Sequence, residues 1–269
     1  MSHDDYIHGF GPIEEQRLRD QAAVLAPVVF AGLDLPRRGR LLELGCGVGA
    51  ELELITQRCP ELSLFGVDLS EAQVAAAVRS LRGRARVARG AAERLPFSDR
   101  SFDVVITIWM LEHVIEPALV IAEALRVLKP NARLILTEVD NATFRFRPEQ
   151  PAIRDWWARF CDQQRRLGAD PEIGRALPAL VHAAGGHDLQ TEYLPVVSSA
   201  RQPHRRDVLL DYVRQLLLSG RAMLERSGAI DEGSLAALET DLERVRGDPS
   251  IQFEYHAVRL SCRAPRGGA

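Results

Sequence analysis

The residues of this chain that are best suited to chemistry form a glycine-rich turn between a predicted strand and a predicted helix. The turn spans residues 45–49 and reads Gly45-Cys46-Gly47-Val48-Gly49. Glycines adopt positive φ angles readily and let a ligand approach where a Cβ would otherwise stand. The spacing differs from the G-x-G-x-x-G of dinucleotide-binding turns, and Glu43 just before the turn would repel a pyrophosphate. We therefore expect a cofactor with an ammonium group and no phosphate; the alternative is a tight turn that binds nothing.

Asp68 is the second residue that suggests a cofactor site. It ends a predicted strand, and a carboxylate about 20 residues beyond a glycine turn is placed to accept hydrogen bonds from ribose hydroxyls. Asp68 also fits the N-cap of the next helix, but Ser70 provides that cap in the sequence. The turn and Asp68 together predict a ligand that contains a ribose.

The elements that carry these residues alternate between strand and helix up to about residue 138. The apolar patterns predict strands at 40–44, 62–67, 84–89, 102–108 and 132–138, and helices at 14–33, 50–58, 71–81 and 117–128. Such alternation is typical of a parallel, doubly wound sheet with helices on both faces. Ligands of these sheets lie at the carboxyl ends of the strands, which is where the turn and Asp68 stand.

The pattern changes after Asp140. We predict helices at 153–167, 173–184, 207–227 and 234–246, and two late strands at 189–197 and 251–262. The whole chain, 1–269, is interpreted as one domain. It consists of an N-terminal helical segment (1–39), a cofactor-binding core (40–140) and substrate-side helices with the last two strands (141–269).

Several motifs between residues 40 and 140 together resemble the class I S-adenosylmethionine-dependent methyltransferases. They are Glu43-x-Gly45-Cys46-Gly47-x-Gly49, Val67-Asp68-Leu69-Ser70, Ala92-Glu93-Arg94-Leu95-Pro96-Phe97, Leu111-Glu112-His113-Val114 and Leu125-Arg126-Val127-Leu128-Lys129-Pro130. The resemblance implies an α/β Rossmann-like sheet of seven strands in the order 3-2-1-4-5-7-6, with strand 7 antiparallel. It also implies S-adenosylmethionine as the cofactor.

The same resemblance assigns cofactor contacts. The residues implied are Tyr6, Gln21, Glu43, Gly45, Cys46, Gly47, Gly49, Asp68, Leu69, Ala92, Glu93 and Trp109. Tyr6 and Gln21 come from a likeness of the N-terminal segment to bacterial small-molecule methyltransferases, in which this segment closes over the cofactor; packing on the sheet alone is the alternative. The chain departs from the family at Ala91, where an aspartate often meets the adenine, and at Asn131, which replaces a glycine.

The substrate side is read from residues near the ends of the fourth and fifth strands. His113 is a candidate general base and Asp140 a second candidate catalytic residue; a structural histidine and a turn cap are the alternatives. Trp109 and Asn141 are expected to contact the substrate, and so are three aromatic residues, Trp156, Trp157 and Phe160, unless they form a buried helix face. We expect a closed, largely apolar pocket sized for a small molecule.

Composition limits the partners. The net charge is −3, without the basic surplus of a nucleic-acid binder. No Asn-Pro-Pro-Tyr motif, which in the similar family marks methylation of nitrogens in bases or glutamine side chains, follows the fourth strand. The four cysteines lack metal-ligand spacing, so no metal is expected. No signal peptide or membrane span is recognisable, which favours a cytoplasmic monomer or homodimer. The predicted function is methylation of a small molecule at oxygen, nitrogen or carbon; an RNA or protein substrate and a non-methylating reaction on the same fold are the alternatives.

Overall fold

A single seven-stranded sheet organises the chain in the computed structural model, which describes residues 7–9 and 11–266. The strands are β1 (Gly39–Leu44), β2 (Leu62–Asp68), β3 (Ala85–Arg89), β4 (Phe102–Ile108), β5 (Leu128–Arg147), β6 (His187–Val197) and β7 (Gln252–Arg263). Their order is β3-β2-β1-β4-β5-β7-β6. The first five strands are parallel, whereas β7 runs antiparallel to both β5 and β6. The predicted fold is confirmed.

Helices cover both faces of the sheet. They are α1 (Pro12–Val29), α2 (Ala50–Arg58), α3 (Glu71–Leu81), α4 (Pro117–Val127), α5 (Pro151–Arg166), α6 (Leu177–Ala183), α7 (Pro203–Ser219), α8 (Arg221–Arg226) and α9 (Glu232–Gly247). Because successive side chains of a strand point to opposite faces, Leu41 packs into one core cluster while Leu42 and Leu44 pack into the other. As predicted, the Ser70 side chain caps α3 by accepting a hydrogen bond from the Gln73 amide.

The largest differences from the sequence prediction concern three elements, while other ends, such as that of α1, shift by a few residues. β5 continues to Arg147 across a register shift after Asp140, where the sequence had suggested a break. The predicted helix 173–184 is a 3-10 turn, Ile173–Arg175, followed by α6, since a proline lies in the first turn of that helix. The predicted helix 207–227 divides at Gly220, where a Cβ would lie 2.7 Å from the Phe160 ring.

A buried arginine of β7 binds the C-terminal end of helix α1 to the sheet. Arg259 donates hydrogen bonds to the carbonyl oxygens of Val29 (3.0 Å) and Ala31 (2.7 Å) at the end of α1, and it also pairs with Glu192 of β6. Further along the helix, Leu18 and Ala22 pack against Val48 of the glycine turn. The helix therefore lies over the carboxyl edge of the sheet, where the site is expected.

The tight packing of Gly174 gives a test of this arrangement. A Cβ at Gly174 would lie 2.7 Å from the Val139 carbonyl oxygen and 3.0 Å from Val258, so Gly174→Ala should lower the free energy of unfolding by about 1–3 kcal/mol. Chemical denaturation measures this loss. Gly247→Ala, at the end of α9 with nothing within 4 Å, is the matched control and should be neutral or slightly stabilising. Equal effects of the two variants would contradict the packing described.

Candidate functional site

The three glycines of the glycine turn adopt the positive φ angles expected of them. Gly45, Gly47 and Gly49 have φ angles of +68°, +49° and +75°. The amides of Gly45 and Cys46 donate to the Val67 carbonyl oxygen at 2.8 and 3.0 Å, which joins the turn to the end of β2. The turn is thus held rigidly between two parallel strands.

The carboxylate of Asp68 is bound to the same turn. Oδ2 accepts a hydrogen bond from the Gly47 amide (2.9 Å) and Oδ1 accepts one from the Ser70 amide (2.8 Å). Burial raises the pKa of Asp68, while these two amide hydrogen bonds lower it. A carboxylate has lone pairs for further donors, so Asp68 retains capacity to accept hydrogen bonds from ribose hydroxyls.

Glu43 is the most buried carboxyl beside the turn. It is 1 % exposed, and its Oε2 has no hydrogen-bond partner among the described residues. Burial raises the pKa of Glu43 well above its usual value, and the neighbouring Glu51 and Asp68 raise it further. An unpartnered buried carboxylate oxygen is costly, and an ammonium group would supply the missing donor. These carboxylate acceptors therefore fit a cofactor that carries an ammonium group and a ribose.

Glu138, a residue that the sequence did not mark, holds the turn that follows β4. Its carboxylate accepts hydrogen bonds from the Thr107 hydroxyl (3.0 Å) and from three backbone amides, those of Met110 (3.3 Å), Leu111 (3.0 Å) and Glu112 (3.4 Å). Glu138 is fully buried, and burial raises its pKa to about 8. The segment that carries Trp109, Glu112 and His113 is therefore fixed from β5.

A cavity of about 40 Å³ lies between this turn and the helices above it. Six predicted site residues line it: Gln21, Trp109, His113, Asn141, Trp157 and Phe160. Other lining residues were not predicted, among them His8, Arg17, Glu112, Tyr212 and Tyr255. The expectation of a largely apolar pocket is wrong, because ionisable and hydroxyl-bearing side chains make up much of this wall.

The polar wall is one connected network. The Glu112 carboxylate accepts hydrogen bonds from the side-chain amides of Gln164 (3.0 Å) and Asn141 (3.5 Å), and the Tyr255 hydroxyl donates to the Asn141 oxygen at 2.6 Å. His113 Nε2 lies 3.7 Å from the other Glu112 oxygen. Burial lowers the pKa of His113, and the positive charge of Arg17 also lowers it, against the effect of Glu112.

Stacked rings form the second wall of the cavity. Trp157 stacks between Phe144 and Phe160, with ring centroids 4.2 and 5.0 Å away. The His8 ring lies 5.5 Å from Phe160 and edge-on to His113 at 5.4 Å. Ring contacts therefore connect helix α5 with His8 of the N-terminal segment and with His113 of the turn after β4.

The structure leaves two of the predicted substrate-side residues outside this cavity. Trp156 is 2 % exposed and donates from its indole to the Leu217 carbonyl oxygen, which makes it part of the core between helices. Asp140 forms an ion pair with Arg175 at 2.9 Å and is not among the lining residues.

The remaining predicted cofactor residues are spread over the turn after β1, the end of β2, the loop after β3 and helix α1. Leu69 is 45 % exposed, whereas Cys46 and Ala92 are buried, and Glu93 is exposed. Tyr6 lies outside the described residues. Gln21 accepts a hydrogen bond from Arg17, whose guanidinium also binds both oxygens of Glu14.

Comparison with known proteins matches part of the chain to a methyltransferase domain. Residues 42–136 match a family model described as a methyltransferase domain, and the sheet order is the one that the resemblance implied. These findings support a class I S-adenosylmethionine-dependent methyltransferase family for this chain. S-adenosylmethionine is the cofactor of this family.

The matches to individual relatives span only part of this chain and only part of each relative. A demethylmenaquinone methyltransferase of Roseiflexus sp. is 34 % identical over 149 residues, which are 53 % of this chain and 60 % of that protein. The chain spans about three fifths of the length of the curated relatives that it matches first.

Solved structures share the fold of this chain. A phosphoethanolamine N-methyltransferase of Haemonchus contortus, in complex with S-adenosyl-L-methionine, is 16 % identical with a TM-score of 0.57, over 91 % of this chain and 52 % of that chain. The [4+2]-cyclase SpnF is 23 % identical with a TM-score of 0.55, over 93 % and 82 %. At these identities the likeness concerns the fold.

The raised pKa of Glu138 gives a testable pH dependence. Between pH 4.5, the usual pKa of glutamate, and about 8, folded Glu138 keeps a proton that the unfolded chain has released, so a rise in pH favours unfolding. The free energy of unfolding should therefore fall across this window, and fall less in Glu138→Gln. Denaturant titrations at several pH values measure the slope.

The control for this experiment is Glu254→Gln. Arg145 lowers the pKa of Glu254, which places its titration below the window. This variant should keep the wild-type slope, and an unchanged slope in Glu138→Gln would refute the buried, protonated state.

Proposed function

We propose that the protein transfers a methyl group from S-adenosylmethionine to a small polar acceptor bound in the cavity. The observation that carries the proposal is that the two groups of residues lie at the same edge of the sheet. The glycine turn follows β1 and is bound by Asp68 at the end of β2, and the turn that lines the cavity follows the adjacent β4. Ligands of open parallel sheets lie at this edge. When bound, S-adenosylmethionine supplies a methyl group on a positively charged sulfur.

The cofactor contacts follow from the groups at this edge. Asp68 would accept hydrogen bonds from the ribose hydroxyls, and Glu43 would bind the ammonium group with its unpartnered oxygen. The half-exposed Leu69 would pack on the adenine, and the backbone near Ala92 would meet its polar edge.

His113 is the proposed base on the acceptor side. Burial lowers its pKa, so the imidazole is neutral near pH 7 and able to take a proton. Glu112 stands 3.7 Å from Nε2 and would stabilise the imidazolium that forms. A base is needed only for an acceptor that is poorly ionised, such as an alcohol. Orientation of the acceptor by the polar wall provides the rest of the catalysis.

Size and charge favour a small acceptor over a macromolecule. The cavity is lined by residues of α1, α5, α7 and β7, and the chain carries a net charge of −3, which does not favour nucleic acid. No described helix is long and apolar enough to cross a membrane. We place the protein in the cytoplasm because all four cysteines are free thiols, as is usual in reducing compartments, and we propose that it is a monomer or homodimer.

The decisive experiment identifies a transferred methyl group. The purified protein is incubated with a metabolite extract and S-adenosylmethionine labelled in its methyl group, and mass spectrometry searches for a labelled product. A labelled product supports the proposal. Binding of S-adenosylhomocysteine without any labelled product would favour a non-methylating reaction on the same fold, because fold does not fix function.

Cofactor selectivity gives a second prediction. S-adenosylhomocysteine should bind in calorimetry and NAD should not, and Asp68→Ala should weaken S-adenosylhomocysteine binding by about 1–3 kcal/mol through lost charge-assisted hydrogen bonds. Asp155→Ala, at an exposed position of α5, is the control and should bind normally. Tighter binding of NAD than of S-adenosylhomocysteine would overturn the assignment.

Turnover of an identified acceptor should separate the two neighbouring tryptophans of α5. Trp157→Ala removes part of the cavity wall and should lower kcat/KM for the acceptor by at least about tenfold, with little change in cofactor affinity. Trp156→Ala acts through the core and should chiefly lower thermal stability. The same loss of acceptor turnover in both variants would show that the cavity is not the acceptor site.

A further inference from the structure

Trp109 stands at the junction between the cofactor turn and the cavity, in a strained backbone conformation. Its φ angle is +49°, which is unfavourable for a bulky side chain. The conformation is held from β5, because the Trp109 amide donates to the Thr137 carbonyl oxygen at 2.8 Å and Glu138 binds the next two amides. Strain of this kind persists where the surroundings impose it, most often at functional sites.

The indole N–H of Trp109 is buried without a hydrogen-bond partner in the described part of the chain. The two other tryptophans of the chain differ in this respect. Trp156 donates to the Leu217 carbonyl oxygen at 2.7 Å, and Trp157 donates to the Asn141 carbonyl oxygen at 2.9 Å. A buried donor without an acceptor is costly, and each such group in a folded protein calls for an explanation.

The position of the ring supplies that explanation. Trp109 lines the cavity together with His113 and Asn141, so a molecule in the cavity lies beside the indole. An indole nitrogen donates a hydrogen bond and accepts none, which means that its partner must be an acceptor atom. An ammonium group or a hydrocarbon cannot serve.

We propose that Trp109 is a specificity-determining residue whose indole N–H donates a hydrogen bond to an oxygen atom of the methyl acceptor. The inference rests on the proposed function. With His113 facing the group to be methylated, the acceptor is a small hydroxylated compound that carries a second oxygen, as a carboxylate or carbonyl, beside its hydroxyl group. A carboxylate oxygen of the cofactor is the other source of the same hydrogen bond, and the test distinguishes the two.

The test uses the indole N–H signals of the three tryptophans in a nitrogen-15 correlation NMR spectrum, assigned with Trp109→Phe. Acetate and glycolate serve as oxygen-bearing probes and ethylamine as the cationic comparison, chosen small because the cavity is about 40 Å³. Each probe is added to the complex with S-adenosylhomocysteine and to the free protein. Acetate and glycolate should move the Trp109 signal downfield in a saturable way, and ethylamine should not, while the signal of Trp156, which lies outside the cavity, stays in place.

The variants measure the contribution of the N–H. Trp109→Phe keeps an aromatic ring but lacks the donor, so it should weaken glycolate binding roughly 10- to 150-fold, the range for a hydrogen bond to a charged group, with nearly unchanged affinity for S-adenosylhomocysteine. Trp156→Phe, which loses a donor already satisfied by Leu217, should lower stability without changing either affinity.

Three results would overturn the inference. The first is a Trp109 signal that neither acetate nor glycolate moves, and the second is glycolate binding by Trp109→Phe at wild-type strength. The third is a Trp109 signal that S-adenosylhomocysteine alone moves downfield, together with weaker binding of S-adenosylhomocysteine by Trp109→Phe. The last result would assign the hydrogen bond to the cofactor. Failure of S-adenosylhomocysteine to bind the wild-type protein would instead contradict the proposed function, and the probes in the free protein still report on Trp109.

Discussion

The site depends on one buried carboxyl group. Glu138 lies within the sheet on β5, and its two oxygens accept hydrogen bonds from the Thr107 hydroxyl and from three amides of the turn after β4. Without this acceptor those amides would be buried and unpaired, which the interior does not tolerate. The group therefore determines where Trp109 and His113 stand, although it does not line the cavity itself.

The second half of the site is built on the same principle. Parallel pairing of β1 with β2 brings their carboxyl ends together, and Asp68 then binds the Gly47 amide across the gap. In each half a carboxyl group on one strand holds the loop that follows its neighbour. The cavity lies beside the turn after β4 and under α1, α5 and α7, so its shape depends on the sheet edge below and on the helices above.

Sequence reasoning succeeded where the signal was local. Alternating apolar runs located α2, α3 and β4 at their observed bounds, and the glycine spacing identified a turn whose φ angles are indeed positive. It failed where partners meet only after folding. Tyr212 and Tyr255 are separated from Glu112 by about 100 residues or more and follow the apolar periodicity of a helix and a strand, so nothing near them in the chain marks them as part of a polar wall. The extension of β5 was missed because Arg145 and Arg147 alternate with Phe144 and Phe146 in a short segment, a pattern that also suits an exposed loop.

The contact between Gly45 and Met110 has a consequence for how such a protein diverges. A Cβ at position 45 would lie 2.3 Å from Met110 Cγ, so the glycine turn and the turn after β4 touch at this point without room to spare. A side chain at residue 45 would need residue 110 to lose volume, and it would still be strained, because Gly45 has a φ angle of +68°. The two positions are therefore epistatic: a substitution that arises first in one of the two turns decides which residues the other turn can later accept.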